Sequence, residues 1–109
     1  MPVRLYKVER YPGVDRQRFA LAVLQYCRAL RHQPKMRSAR FYWADANTAG
    51  LILEGETGCF NETDEQDPEL AQANFALADL CSLRMAETWA DAGRSERSWE
   101  RAGRPTGTT

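Results

Sequence analysis

The sequence predicts an α+β fold in the order strand, helix, strand, strand, helix, with an antiparallel sheet. Three observations carry that reading. Apolar residues alternate near the N-terminus and again in a central hairpin, and they recur at steps of three and four in the segments between and beyond, while Pro and Gly stand at most of the joints. At 109 residues and 43% hydrophobic composition the chain holds one core rather than two. The expected domain is 1–103, with 104–109 as a loose tail.

The segment VRLYKVERY (3–11) is rich in Val, Leu and Tyr and reads as a strand that stops at Pro12-Gly13. From Asp15, which suits an N-cap, the period changes: Phe19, Val23, Tyr26 and Leu30 form one narrow stripe of a helix that ends near His32, before Pro34. Leu21 and Leu24 lie on its other side and ask for cover of their own. Two strands then flank a turn at Asp45 to Gly50. Ala39, Phe41 and Trp43 alternate with Arg40 and Tyr42, and Leu51 and Leu53 with Ile52 and Glu54, so both faces of the sheet are substantially apolar. Asp67-Pro68-Glu69 starts a second helix with an acidic cap, Pro at its first position and an acid beside the positive end of the dipole. The expectation is a long helix reaching about Gly93, with Leu70, Leu77, Cys81, Met85 and Trp89 on one side and Ala76, Leu80 and Leu83 on another. A helix apolar on two sides calls for a partner subunit as its extra cover. Residues 95–102 read as one more short helix, and no segment reads as a fourth strand.

Strand, helix, hairpin and helix over roughly residues 3–92, with a two-faced apolar sheet, resembles the ferredoxin-like arrangement. In particular it resembles the dimeric α+β barrel superfamily, whose members include small antibiotic-biosynthesis monooxygenases and stress-responsive barrel proteins. The resemblance implies a homodimer in which two sheets face each other, with a pocket between sheet and helices. It also implies a small-molecule function, such as cofactor-independent oxygenation or cyclisation of an aromatic or polyketide-like substrate. The absence of a regular fourth strand departs from that pattern and leaves a sheet edge for a partner or the tail.

Charge is segregated although the net is zero. Residues 1–40 hold ten Lys and Arg against two acids, and residues 41–70 hold eight acids and no base, so the acidic stretch is expected to lie near basic residues of the first forty. Arg94, Arg97, Arg101 and Arg104 share a helix side with Trp99 near, but Glu96 and Glu100 interleave and there is no basic excess, so nucleic acid is not an expected partner. No apolar run approaches the about 20 residues of a membrane span, and with no signal-like stretch the expected location is the cytoplasm. Cys27, Cys59 and Cys81 are odd in number and widely spaced, which fits reduced thiols; with His32 they lack the close ligand pair of a zinc site. Neither Asn61 nor Asp64 begins a calcium-loop pattern, so no metal is expected.

The binding candidates are the aromatics Tyr6, Tyr26, Phe41, Trp43 and Trp89, which either line an apolar pocket or fill an ordinary core. If the pocket is catalytic, its chemistry needs neither metal nor cofactor: a base removes a proton from an activated phenol or ketone, and a dry cavity protects the anion. His32 and Tyr42 are candidates for the polar role, although His32, among Arg28, Arg31 and Lys35, suits a solvated helix end better. Pro2 is the third candidate. PVRLYKVERYPG resembles the opening of the tautomerase superfamily, in which an N-terminal proline is the base and arginines, here Arg10, Arg37 or Arg40, bind a carboxylate; a retained Met1 blocks that amine. The rival to all of these is a non-catalytic homodimeric interaction module. Arg84, placed between the apolar stripes, calls for a carboxylate partner if buried.

Overall fold

The computed structural model describes residues 1–59 and 67–89. Six elements follow one another: β1 (Val3–Arg10), α1 (Arg16–Arg31), β2 (Met36–Trp43), β3 (Thr48–Gly55), α2 (Pro68–Ala78) and β4 (Cys81–Trp89). The four strands form one antiparallel sheet in the order β2-β3-β1-β4, which is the ferredoxin-like arrangement expected. Both helix starts fall where their caps stand. The Asp15 carboxylate accepts from the Arg18 backbone N–H at 3.0 Å, and Asp67 accepts from that of Glu69 at 3.0 Å with Pro68 at the first turn.

The long second helix and the missing fourth strand are both corrected by the structure. α2 ends at Ala78, and residues 81–89 pair with β1 as a strand. The misreading has a geometric cause. Cys81, Met85 and Trp89 are four apart, a spacing that lies near one helical stripe and equally fits one face of a regular strand, because four is a multiple of two, although an extra residue here divides them between the faces. Leu83 distinguishes the two: halfway between Cys81 and Met85, it leaves the helical stripe but continues strand alternation. No Gly or Pro marks the joint; the helix closes on Asp79, whose N–H donates to the Phe75 carbonyl, and Leu80 O then accepts from Tyr11 N at 3.0 Å. The expected short helix at 95–102, the tail at 104–109 and the Asn61 and Asp64 positions lie outside the described residues.

Strand pairing sorts side chains onto two faces. Tyr6 and Val8 of β1, Ala39 and Phe41 of β2, and Ala49, Leu51 and Leu53 of β3 meet the helices. α1 lays Phe19, Val23, Tyr26, Cys27 and Leu30 on them, while its Leu21 remains 53% exposed, without the cover expected. α2 buries only Leu70 and Leu77. The opposite face carries Val3, Leu5, Tyr42, Ile52, Met85 and Trp89 and no helix. A register shift opposite Lys7 and Val8 leaves Arg84 as the extra residue, so Leu83 stays on the helix face while Met85 and Trp89 turn to the open one. Arg84 is exposed and its Nε reaches Glu9 Oε1 at 3.3 Å, so its partner comes from β1 rather than from the acidic stretch.

The described part of that stretch meets the first forty residues, once through a member of the basic block. Glu56 pairs with Arg37, His32 Nδ1 lies 2.8 Å from Glu69 Oε1, and Gln33 donates to Asp67. The His32–Glu69 and Gln33–Asp67 contacts join the end of α1 to the start of α2, whereas the exposed Arg37–Glu56 pair joins β2 to the end of β3 and adds little stability.

Candidate functional site

The alternation of β1 and β3 and the stripe of α1 leave a cavity of about 340 Å³ between sheet and helices. Tyr6, Val8, Leu51, Cys81 and Leu83 form its floor, Tyr26 one wall, and Asn74, Leu77 and Ala78 of α2 the other. Leu83, 60% exposed on the helix face, marks its mouth, because α2 is short and leaves much of β4 uncovered. The volume suits a small ring system, and the lining is mostly apolar, with Tyr6, Tyr26, Asn74 and Cys81 as the residues that carry polar groups.

None of the described lining residues is charged. The Cys81 thiol donates to the Leu77 carbonyl at 3.2 Å, and burial pushes its pKa up to about 11, so it enters neutral chemistry as a thiol and not a thiolate. Cys27, buried on α1, is likewise pushed up to about 11 by burial, against a smaller opposing effect of Arg31. On the same face, beside Tyr6 and toward β4, Arg4 Nη1 donates to the Tyr6 hydroxyl at 3.2 Å and Arg4 Nε to Thr88 Oγ1 at 2.8 Å.

Of the expected pocket aromatics, the structure brings Tyr6 and Tyr26 together at this cavity. Phe41 and Trp43 face the helices but stand to one side, where Trp43 meets Phe19 and Phe41 edge-on, with centroids at 5.8 and 6.0 Å, under the Arg16 guanidinium. Trp89 lies on the open face, 57% exposed, with Nε1 donating to Glu87 at 3.3 Å. Tyr42 is on that face too, 53% exposed. His32 caps the C-terminus of α1, as a solvated helix end should, and borders a separate polar groove with Gln25, Arg28, Glu69 and Gln72. Pro2 is buried where β1 begins, its carbonyl accepting from Gly55 N at 3.3 Å, and is not part of the cavity lining.

Sequence reasoning missed Asn74, Leu77 and Leu83 as lining residues. A signal for Asn74 was present: it stands four after Leu70 and three before Leu77, on the flank of the buried stripe, and is a poor helix former in the run AQANFALA.

No protein-family model and no curated protein matches the chain in sequence. Solved structures do match its fold. A candidate antibiotic biosynthesis monooxygenase from Chloroflexus aurantiacus superposes with a TM-score of 0.68 at 12% identity, over 85% of this chain and 94% of its own. SnoaB, a cofactor-independent oxygenase from Streptomyces nogalater, gives 0.68 at 12% identity over 86% and 96%. A candidate antibiotic biosynthesis monooxygenase from Nitrosomonas europaea gives 0.65 at 12% over 85% and 98%. The fold resemblance drawn from the sequence therefore holds, and the fourth strand removes its one departure.

Proposed function

We propose that this protein is a small-molecule enzyme of the cofactor-independent monooxygenase kind, acting as a homodimer on a compact aromatic or polyketide-like substrate. The observation that carries the proposal is the cavity of about 340 Å³, apolar but for Tyr6, Tyr26, Asn74 and Cys81. Its occurrence in a fold shared with SnoaB, an oxygenase of that kind, supports the reaction class.

The lining residues supply hydrogen bonds rather than a base poised near neutrality, so the substrate's own acidity must make the first step accessible. A ring ketone or phenol with an activated methylene meets that need. Loss of a proton gives a stabilised carbanion, which transfers an electron to dioxygen; the two radicals combine to a hydroperoxide, and loss of water leaves a carbonyl. In balance, the methylene and a single dioxygen become a carbonyl and a single water: one oxygen atom stays on the ring carbon, and the other leaves with both methylene hydrogens. The protein's part is to bind the ring and to hold the anionic oxygen with the Tyr6 hydroxyl and the Asn74 carboxamide.

The homodimer reading rests on the open sheet face. Tyr42, Ile52 and Trp89 are 53%, 39% and 57% exposed there, beside Leu5 and Met85, and a second copy presenting the same face would remove this surface from water. That face also supports the rival reading of a non-catalytic interaction module. A cytoplasmic location suits the buried thiols of Cys27 and Cys81, and no helix among the described residues is long and apolar enough to cross a membrane.

The deciding experiment offers anthrone, whose methylene is acidic, to the purified protein with a metal chelator and no added cofactor. Oxygen uptake with formation of anthraquinone above the buffer rate, reduced at least about tenfold in Asn74→Ala, supports the enzyme. Binding without turnover favours the module.

A further inference from the structure

We infer that Arg4 fixes the direction of the Tyr6 hydroxyl hydrogen bond, making Tyr6 an obligatory donor to an acceptor oxygen of whatever ring system occupies the cavity. The inference rests on the cavity being a ligand site and adds which atom of the ligand is recognised. A guanidinium has five donors and no acceptor, so in the 3.2 Å contact between Arg4 Nη1 and the Tyr6 hydroxyl the tyrosine oxygen must accept. The hydroxyl has one proton, and that bond does not use it. Among the described residues nothing accepts this proton, and Tyr6 borders the cavity.

Two features make the arrangement more than an accident of rotamers. Arg4 is half-buried and held by a second bond, from its Nε to Thr88 Oγ1 at 2.8 Å, so strands β1 and β4 together aim it. Donation into the phenol oxygen also polarises the O–H bond, which strengthens the outgoing bond. Such a donor binds a ring ketone better than the hydrocarbon of the same shape. It binds an enolate or phenolate better still, since the bond strengthens as charge develops on the oxygen. Ligands of this site should therefore carry a carbonyl or ionisable hydroxyl on the ring, at the edge that enters toward β1. Arg4 is a positioning residue that acts through Tyr6.

The test compares 1-tetralone with tetralin, the same bicycle without the oxygen, by chemical-shift titration of the full chain. Tetralin reports the cavity itself, and the tetralone-to-tetralin affinity ratio reports the hydrogen bond. The ratio is expected to fall about tenfold in Tyr6→Phe and about threefold in Arg4→Met, with Arg4→Lys restoring most of it. A ratio that Tyr6→Phe leaves unchanged overturns the inference and leaves the cavity standing as a ligand site. A ratio lowered equally by Arg4→Lys and Arg4→Met overturns the part given to the cation. Failure of both compounds to bind the unaltered protein overturns the ligand site and the inference with it. Arg4→Lys also keeps the test readable should Arg4→Met not fold.

Discussion

The two faces of the sheet come from the same strands and similar residues, yet they have opposite fates. Leu51 and Ile52 are neighbours on β3, each near the middle of the sheet; Leu51 is 1% exposed beneath the helices and Ile52 is 39% exposed on the bare face. What separates them is the alternation of the strand and the side on which both helices cross over. The helix face is filled over Leu51 and Leu53, and where α2 stops short at Ala78 it keeps a cavity. The open face keeps an apolar patch. One face is thus suited to a small molecule and the other to a second protein surface.

The largest effect expected from breaking this contrast is in the core. Leu51→Ala should cost about 2–5 kcal/mol in chemical denaturation, because it removes contacts from a site at 1% exposure, whereas Ile52→Ala should cost under about 1 kcal/mol when measured on the monomer. The reverse substitution of roles sharpens the point. Ile52→Asp should leave the monomer folded but weaken self-association at least about 100-fold in sedimentation, because it desolvates a charge at the proposed sheet-to-sheet contact.

A smaller effect is expected from pH. Burial raises Cys27 from 9.0 to about 11, with Arg31 opposing. Between those values the unfolded chain has lost a proton that the folded chain keeps, so stability is complete below about pH 9 and falls as pH rises toward 11, by about 2–3 kcal/mol for this thiol. Cys27→Ala should make that alkaline limb shallower in a series of thermal melts, leaving the share of Cys81, which burial also raises to about 11, at some cost at neutral pH. An unchanged slope would mean the thiol is not held neutral.

Smaller again is Gly55→Ala. A methyl there would stand 2.8 Å from the Lys35 carbonyl and 2.5 Å from Cys59 Sγ, where β3 ends close against the chain entering β2. The backbone carbonyl cannot rotate away, so a loss of about 1–2 kcal/mol is expected in thermal or urea unfolding.

Much of this contrast was legible in the sequence. Asp15 and Asp67-Pro68 located both helix starts, and the alternation through Phe41, Trp43, Leu51 and Leu53 announced a sheet apolar on both faces. The end of α2 was not legible, because a spacing of four cannot separate a helical stripe from a strand face and Ala78 to Cys81 contains no breaking residue. That one ambiguity hid β4 and with it the part of the floor made by Cys81 and Leu83. It also placed Trp89 in the pocket, whereas the extra residue at Arg84 turns Trp89 to the other face. Tyr6 and Tyr26 lie at the cavity because each stands on an apolar pattern that survives folding unchanged. Asn74 was passed over because its distinction is chemical, an amide at the edge of a stripe, and periodicity registers only apolar residues.

The division of labour between the faces is tested most directly by native mass spectrometry of protein purified from its own host. The prediction is a dimer at micromolar concentration that retains a small organic molecule on each protomer. A monomer with no added mass under the same conditions would contradict it.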